Sequence, residues 1–354
     1  MALHGTAQYD TMLLTERGMK EDHQMPLYYL DWTYLLLIPG LILGSAVYYG
    51  RKTAPDSSQE TTTASEAVTV IAEETAGKQK DDIIDVLKED NTVVQLEMDD
   101  YITGVVLAEM PASFSLEALK AQAVVARTYA IRAASGFGKH ADAAVCVNPS
   151  CCQAYLSEEE YRNMGGLEEN AQKVRSAVSD TGGLVLTYEG QLIEATYFSC
   201  SGGSTEDAVA VWGTDVPYLQ ATDSPGEENA AHYSDTVTFS KEQFSSLLGV
   251  SLGSDPKKWI GSITYTAGGG VNTIEIGEKS FQGTAVRKAL GLRSTAFSIV
   301  ANESGVTITT KGFGHRVGMS QYGANAMAEA GSDYREILAH YYQGTALQTW
   351  LVDK

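Results

Sequence analysis

Eighteen consecutive residues, Trp32 to Tyr49, read WTYLLLIPGLILGSAVYY and carry no charge. A helix needs about 20 predominantly apolar residues to cross a bilayer, so this run is long enough to span one. Tyr28, Tyr29, Trp32 and Tyr34 at one end and Tyr48 and Tyr49 at the other suit the headgroup level, where an amphipathic ring is stable. A buried core helix is the alternative. The run starts some thirty residues into the chain and ends in Val-Tyr-Tyr-Gly rather than a small-x-small site, which favours a retained anchor over a cleaved leader. Arg17 and Lys20 before it and Arg51 and Lys52 after it leave the orientation open.

The chain accordingly divides into a tail (1–27), a transmembrane helix (28–50), a tether (51–90) and a folded domain (91–354). The tether is rich in Thr, Ser, Glu and Ala, and residues 53–90 hold −7 of the net charge of −20. Such a composition cannot bury enough apolar surface to order itself. A short helix over Asp82–Leu87 is the one element expected there. The overall acidity also excludes non-specific binding to nucleic acid phosphates.

In the folded domain, Asp99 or Asp100 is placed to cap a helix that Pro111 terminates, because the residue before a proline is pushed out of helical geometry. Ile102, Val105 and Val106 form its apolar stripe, and the i+7 position that completes the stripe is Glu109. Desolvation there raises a carboxyl pKa, which suits a general acid. The alternative is a structural glutamate paired with an arginine or capping a neighbouring helix. A second helix, LEALKAQAVVARTYAIRAA, follows the cap Ser115. Its stripe of Leu119, Ala123, Ala126 and Ala130 admits close packing, with Arg127 beside it. Arg127 either meets Glu109 or a substrate, or lies at the surface.

His140, Cys146, Cys151 and Cys152 fall within thirteen residues, and His and Cys are the usual ligands of zinc. Vicinal cysteines do not easily serve one ion together, so His140, Cys146 and Cys152 make a three-ligand set with one position open. A disulfide of Cys146 with Cys151, Cys152 or Cys200 is the competing reading.

Gly183–Ser199 reads as a hairpin turning at Glu-Gly. It runs into a small polar turn, Cys200-Ser201-Gly202-Gly203, that either presents amides and hydroxyls to a ligand or only connects two elements. Residues 234–310 alternate in the manner of a meander and read as scaffold. In GFGHRVGMSQYGANAMAEAG, glycines bracket His315 in a turn, Ser320 caps a helix and Gly331 ends it. His315 and Gln321 are the candidate ligand-binding residues of this segment.

Four segments together, AEMPASFSLEALKAQAVVARTYA, CQAY, YFSCSGGSTE with VWGTDVPYL, and GFGHRVGMSQYGANAMA with YREILAHYYQGT, resemble the SpoIID/LytB family across nearly all of residues 91–354. The resemblance implies a lytic transglycosylase that cleaves the bond between N-acetylmuramic acid and N-acetylglucosamine in peptidoglycan glycan strands stripped of stem peptides. It puts the catalytic acid on Glu109 and substrate-side roles on Arg127, Tyr218 and the Ser201 turn. Some clostridial-type members hold zinc through a His and two Cys at the spacing of His140, Cys146 and Cys152. Cys200 and Gln220 stand where the family pattern has a non-cysteine and a lysine.

The fold class expected is α+β, a helical layer carrying Glu109 and Arg127 packed on antiparallel strands around a glycan-binding cleft. The resemblance further implies a cytoplasmic tail, an extracytoplasmic domain anchored by the single N-terminal transmembrane helix, and work beside the stage II sporulation proteins P, an amidase, and M, a membrane protein, in engulfment. Two other functions compete: a non-enzymatic glycan-binding modifier that stimulates an amidase, and a zinc hydrolase acting on stem peptides.

Overall fold

The computed structural model describes residues 83–350. The tail 1–27, the expected transmembrane helix 28–50 and the tether up to residue 82 lie outside the described residues. Among the described residues no helix is long and apolar enough to cross a membrane.

The first element is a strand, β1 (Ile83–Leu87), where the tether and a short helix were expected. Ile84 and Val86 are 1% and 0% exposed while Ile83 faces solvent. This period of two, in a β-branched run, selects a strand, and the folded unit begins before residue 91. β1 pairs antiparallel with β2 (Val93–Glu97), which leads directly into helix α1 (Met98–Glu109). The cap of α1 is Glu97, without a side-chain cap bond, two or three residues earlier than expected; Asp99 and Asp100 sit in the first turn, where negative charge suits the helix dipole. Met110 adopts φ −126°, ψ 143° ahead of Pro111, so the proline stops the helix as anticipated.

Helix α2 (Leu116–Arg132) is the centre of the main core. Leu119, Ala123, Ala126 and Ala130 are all fully buried, and the small stripe lets α2 pack against several neighbours at once. After a wide turn comes β3 (Val145–Cys146), parallel to β1. Helices α3 (Glu158–Asn163) and α4 (Glu168–Asp180) follow, α3 opened by a Ser157–Glu160 capping box.

The predicted hairpin is present as β4 (Leu184–Tyr188) and β5 (Gln191–Leu192). Glu189 and Gly190 have φ of 51° and 77°, the pair of left-handed residues that a two-residue type I′ turn requires. The short strand β6 (Tyr197–Phe198) and helix α5 (Ala208–Trp212) complete this half.

Residues 234–311 build a second core. It contains β7 (Ser234–Phe239), α6 (Lys241–Leu248), β8 (Ile260–Tyr265), β9 (Val271–Ile276), β10 (Lys279–Gln282), α7 (Gly283–Leu290), β11 (Phe297–Asn302) and β12 (Gly305–Lys311). The strands form two antiparallel three-stranded sheets, β10-β9-β8 and β11-β12-β7. Phe244, Trp259, Ile274, Val286 and Ile308 fill the space between the elements. The expected meander is thus interrupted by two helices.

The chain then returns to the main core. β13 (Met319–Ser320) pairs in parallel with β6, and helix α8 (Gln321–Glu329) starts at once, its cap Ser320 accepting from the Gly323 amide. Gly331, at φ 105°, ends it as expected. Helix α9 (Tyr334–Tyr341) and β14 (Ala346–Thr349), antiparallel to β4, close the chain. The architecture is mixed α+β; most pairings are antiparallel, but β1–β3 and β6–β13 are parallel.

Candidate active site

Glu109 is the last residue of α1, where the proline-stopped helix delivers its side chain beyond the apolar stripe. The backbone amide of Ala154 donates to Glu109 Oε1 at 2.8 Å, and the Tyr197 hydroxyl donates to the same oxygen at 3.1 Å. Three separate segments therefore meet at one carboxyl: the end of α1, the loop after the cysteine cluster, and β6. The parallel pairing of β6 with β13 brings a fourth, because Gln321 follows β13 directly.

Burial pushes the Glu109 carboxyl above its ordinary range. The bonds from Ala154, Tyr197 and Gln321 act the other way without cancelling that rise. Gln321 is 5% exposed, and although it lies close enough to affect the acid, its Nε2 makes no regular hydrogen bond among the described residues.

Behind Tyr197 runs a chain of polar side chains. Gln153 Nε2 donates to the Tyr197 oxygen at 3.1 Å, and the Tyr101 hydroxyl donates to Gln153 Oε1 at 3.3 Å. Tyr197→Phe removes a donor that lowers the acid's pKa and strips Gln153 Nε2 of its acceptor. The alkaline limb of any Glu109-dependent activity moves to higher pH, read from a pH–rate profile. Stability falls by about 1–3 kcal/mol, the cost of an orphaned buried donor, read by urea denaturation.

The structure does not bring Arg127 to this acid. Its guanidinium, 1% exposed, donates to the carbonyls of Thr181 at 2.7 Å and Val178 at 3.2 Å, and to Asp99 Oδ1 at 3.0 Å. It satisfies carbonyls left over at the end of α4 and ties them to the first turn of α1. Asp99 is ten residues, roughly 15 Å, from Glu109 along the helix.

Ser201 is fully buried, with its amide and hydroxyl donating to Glu227 Oε2 at 2.9 and 2.7 Å. Gly202 donates to the same oxygen at 2.8 Å, and the Ser320 hydroxyl bonds the other oxygen of Glu227. The polar turn is therefore held internally by one buried carboxylate. The half-buried Tyr218 accepts from the Glu194 amide at 3.0 Å and tilts against Tyr188 of the hairpin.

His315 Nδ1 accepts from the Val317 amide at 3.1 Å, and the ring also hydrogen-bonds the Tyr197 backbone. It packs edge-on to Phe198 and tilted on Trp212. Burial, reinforced by Arg287, pushes its pKa down to about 3, so the imidazole is neutral. These contacts make it a brace for β6.

The thiol cluster departs from the expected three-ligand set. Cys151 and Cys152 both turn toward His140, each sulfur 3.5 Å from Nε2, and together with Cys146 the four donor atoms lie within 4.8 Å of one another. The tight turn at residues 149–152 points the vicinal side chains the same way, overriding the usual divergence of adjacent residues. All four cysteines are free thiols, and Cys200 is buried elsewhere, against Glu227. The cluster has the donor set of a metal centre.

The closing segment also holds an arginine that sequence reasoning passed over. Arg316, 2% exposed at φ 66°, donates from NH1 to Glu206 at 3.0 Å, from Nε to the Ser201 carbonyl, and from NH2 to the carbonyls of Ser204 and Gly268. The bracketing glycines that drew attention to His315 were the available signal for this strained neighbour.

Fold and site together define a mixed α+β unit arranged around one isolated carboxylic acid with an adjacent His/Cys cluster. A family model for SpoIID, stage II sporulation protein, matches residues 87–188. The chain is 42% identical over 259 residues to stage II sporulation protein D of Bacillus amyloliquefaciens, covering 72% of this chain and 75% of that relative. It is 41% identical over 261 residues to stage II sporulation protein D of Bacillus subtilis strain 168, covering 72% and 76%. It is also similar to the amidase enhancer of Bacillus subtilis, at 32% identity over 305 residues, covering 70% of this chain and 40% of that protein. The chain belongs to the SpoIID family.

Proposed function

We propose that this protein is a lytic transglycosylase of sporulation, cleaving the MurNAc–GlcNAc bond of denuded peptidoglycan strands to leave 1,6-anhydro-MurNAc ends. The observation that carries the reading is Glu109: a carboxyl raised by burial, donated to by Ala154 and Tyr197 on one oxygen, with no neighbouring carboxylate contributing to its shift. Most glycosidases need two carboxylates, one for each face of the sugar. One suffices when the nucleophile belongs to the substrate.

Glu109 gives its proton to the glycosidic oxygen as the C1–O bond breaks, and the resulting carboxylate takes the proton of the muramic acid 6-hydroxyl as that oxygen attacks C1. No water is consumed. The Gln321 amide binds substrate beside the acid, and Tyr218 lines the approach. Zinc suits the His140, Cys146 and Cys152 donors; when bound, its chemistry is that of a cross-link between loop segments.

The domain acts outside the membrane, held by the apolar segment 28–50, beside sporulation proteins of the P and M types. The test is product analysis: purified protein incubated with denuded glycan yields anhydromuramic ends by mass spectrometry. Reducing ends alone, or no cleavage, would defeat the proposal.

The 32% identity to an amidase enhancer favours a second reading, a glycan-holding partner that stimulates an amidase. On that reading Glu109→Gln stimulates a purified amidase as well as the unaltered chain does, and neither cleaves glycan.

A further inference from the structure

The separations within the thiol cluster are informative in themselves. Cys151 Sγ and Cys152 Sγ are each 3.5 Å from His140 Nε2 and 3.9 Å from one another. Tetrahedral zinc, with Zn–S near 2.3 Å and Zn–N of about 2.0–2.1 Å, sets two of its sulfurs about 3.8 Å apart and a sulfur and a nitrogen about 3.6 Å apart. The three distances match edges of one such tetrahedron to within about 0.2 Å. A disulfide would hold the vicinal sulfurs at about 2.05 Å. Cys146 Sγ lies within 4.8 Å of the other three donors, near enough to be drawn to the vertex that a catalytic zinc keeps for water.

The cluster also sits at a mechanical junction. Cys146 ends β3, which is tied to β1. Residues 147–157 form neither helix nor strand. Within that loop the amides of Cys151 and Cys152 both donate to the Asn148 carbonyl, at 2.9 and 2.8 Å. Immediately after Cys152 come Gln153, which connects Tyr101 to Tyr197, and Ala154, whose amide bonds Glu109. A link at residue 152 thus fixes the two residues that hold the acid in place.

We propose that Cys151 is the fourth ligand of a closed Cys3His zinc centre, and that this centre is a clasp setting the 147–157 loop against Glu109 rather than a site that activates water. The ligand count is independent of what Glu109 does; the clasp's bearing on catalysis rests on the transglycosylase reading.

Zinc K-edge absorption on the full chain loaded with one zinc decides the ligand count. Three sulfurs and one nitrogen are expected, falling to two sulfurs and two lighter ligands in Cys151→Ser. Two sulfurs in the unaltered chain, a spectrum that Cys151→Ser leaves unchanged, or no stoichiometric zinc would each overturn the closed centre. Hydrogen exchange by mass spectrometry tests the clasp on the unaltered chain, zinc-loaded and zinc-stripped, so no variant need fold. Exchange across residues 147–157 is expected to quicken roughly tenfold or more on stripping, and unchanged exchange there would overturn it. Neither readout uses glycan cleavage, so a failure of the transglycosylase reading is seen separately, in the product analysis.

Discussion

Glu109→Gln lowers formation of anhydromuramic ends by at least roughly 10²–10⁴-fold, the range supplied by a positioned acid or base, and here one residue serves as both. The substitution keeps the shape of the side chain and an oxygen that can accept from Ala154 and Tyr197, so the loss is chemical rather than architectural. Stability moves in the opposite direction. A carboxyl whose pKa is raised by folding carries no penalty below its unfolded value; stability is lost as pH rises toward the folded one. Glu109→Gln therefore melts at a higher temperature than the unaltered chain at pH 8 and at a similar temperature at pH 4. A variant that melts lower at pH 8, or that retains cleavage, contradicts the assignment of Glu109 as an acid raised by desolvation.

The second large effect is on the fold. Glu206→Ala is expected to cost about 3–5 kcal/mol by urea denaturation, because it leaves Arg316 charged, buried and without its counter-ion. Arg316 and Glu206 side chains are 2% and 1% exposed. Glu206 also accepts from the Thr266 hydroxyl and the Gly270 amide, both at 2.9 Å, so the deletion orphans these too. The site is so close-packed that a Cβ on Gly270 would stand 2.2 Å from Glu206 Oε1. Arg316→Met combined with Glu206→Ala recovers part of the loss, since it removes the stranded charge. If the double variant is no more stable than Glu206→Ala, the cost comes from the lost backbone bonds and not from the charge.

The parts legible in the sequence were those set by local periodicity. The i, i+3, i+4 spacing from Ile102 located Glu109, the alanine stripe of α2 announced close packing, and Glu189-Gly190, Ser320 and Gly331 marked their turns correctly. What stayed hidden depends on contacts between distant segments. Tyr197 meets Glu109 from 88 positions away and Gln153 meets Tyr197 from 44, with nothing local to mark either.

Arg127 looked like a neighbour of the acid because it flanks the buried stripe; only the position of α4 shows which carbonyls it serves. Cys151 is hidden as a partner of His140 because adjacent side chains usually diverge, a rule that the turn at 149–152 overrides. Helix α6 had a readable start, the Ser240–Gln243 capping box, but alternating threonines around it dominated the reading.

The pairing of β6 with β13 has a consequence for how the molecule comes into being. Tyr197 and Met319 pair across about 120 residues of chain. Closing so long a loop carries an entropic cost that grows with its length, and prior folding of the second core inside it draws the two ends together. During synthesis, α1, the thiol loop and Tyr197 emerge long before Gln321. The acid is therefore born with an incomplete set of neighbours, and the site stays unfinished until Gln321 has left the ribosome.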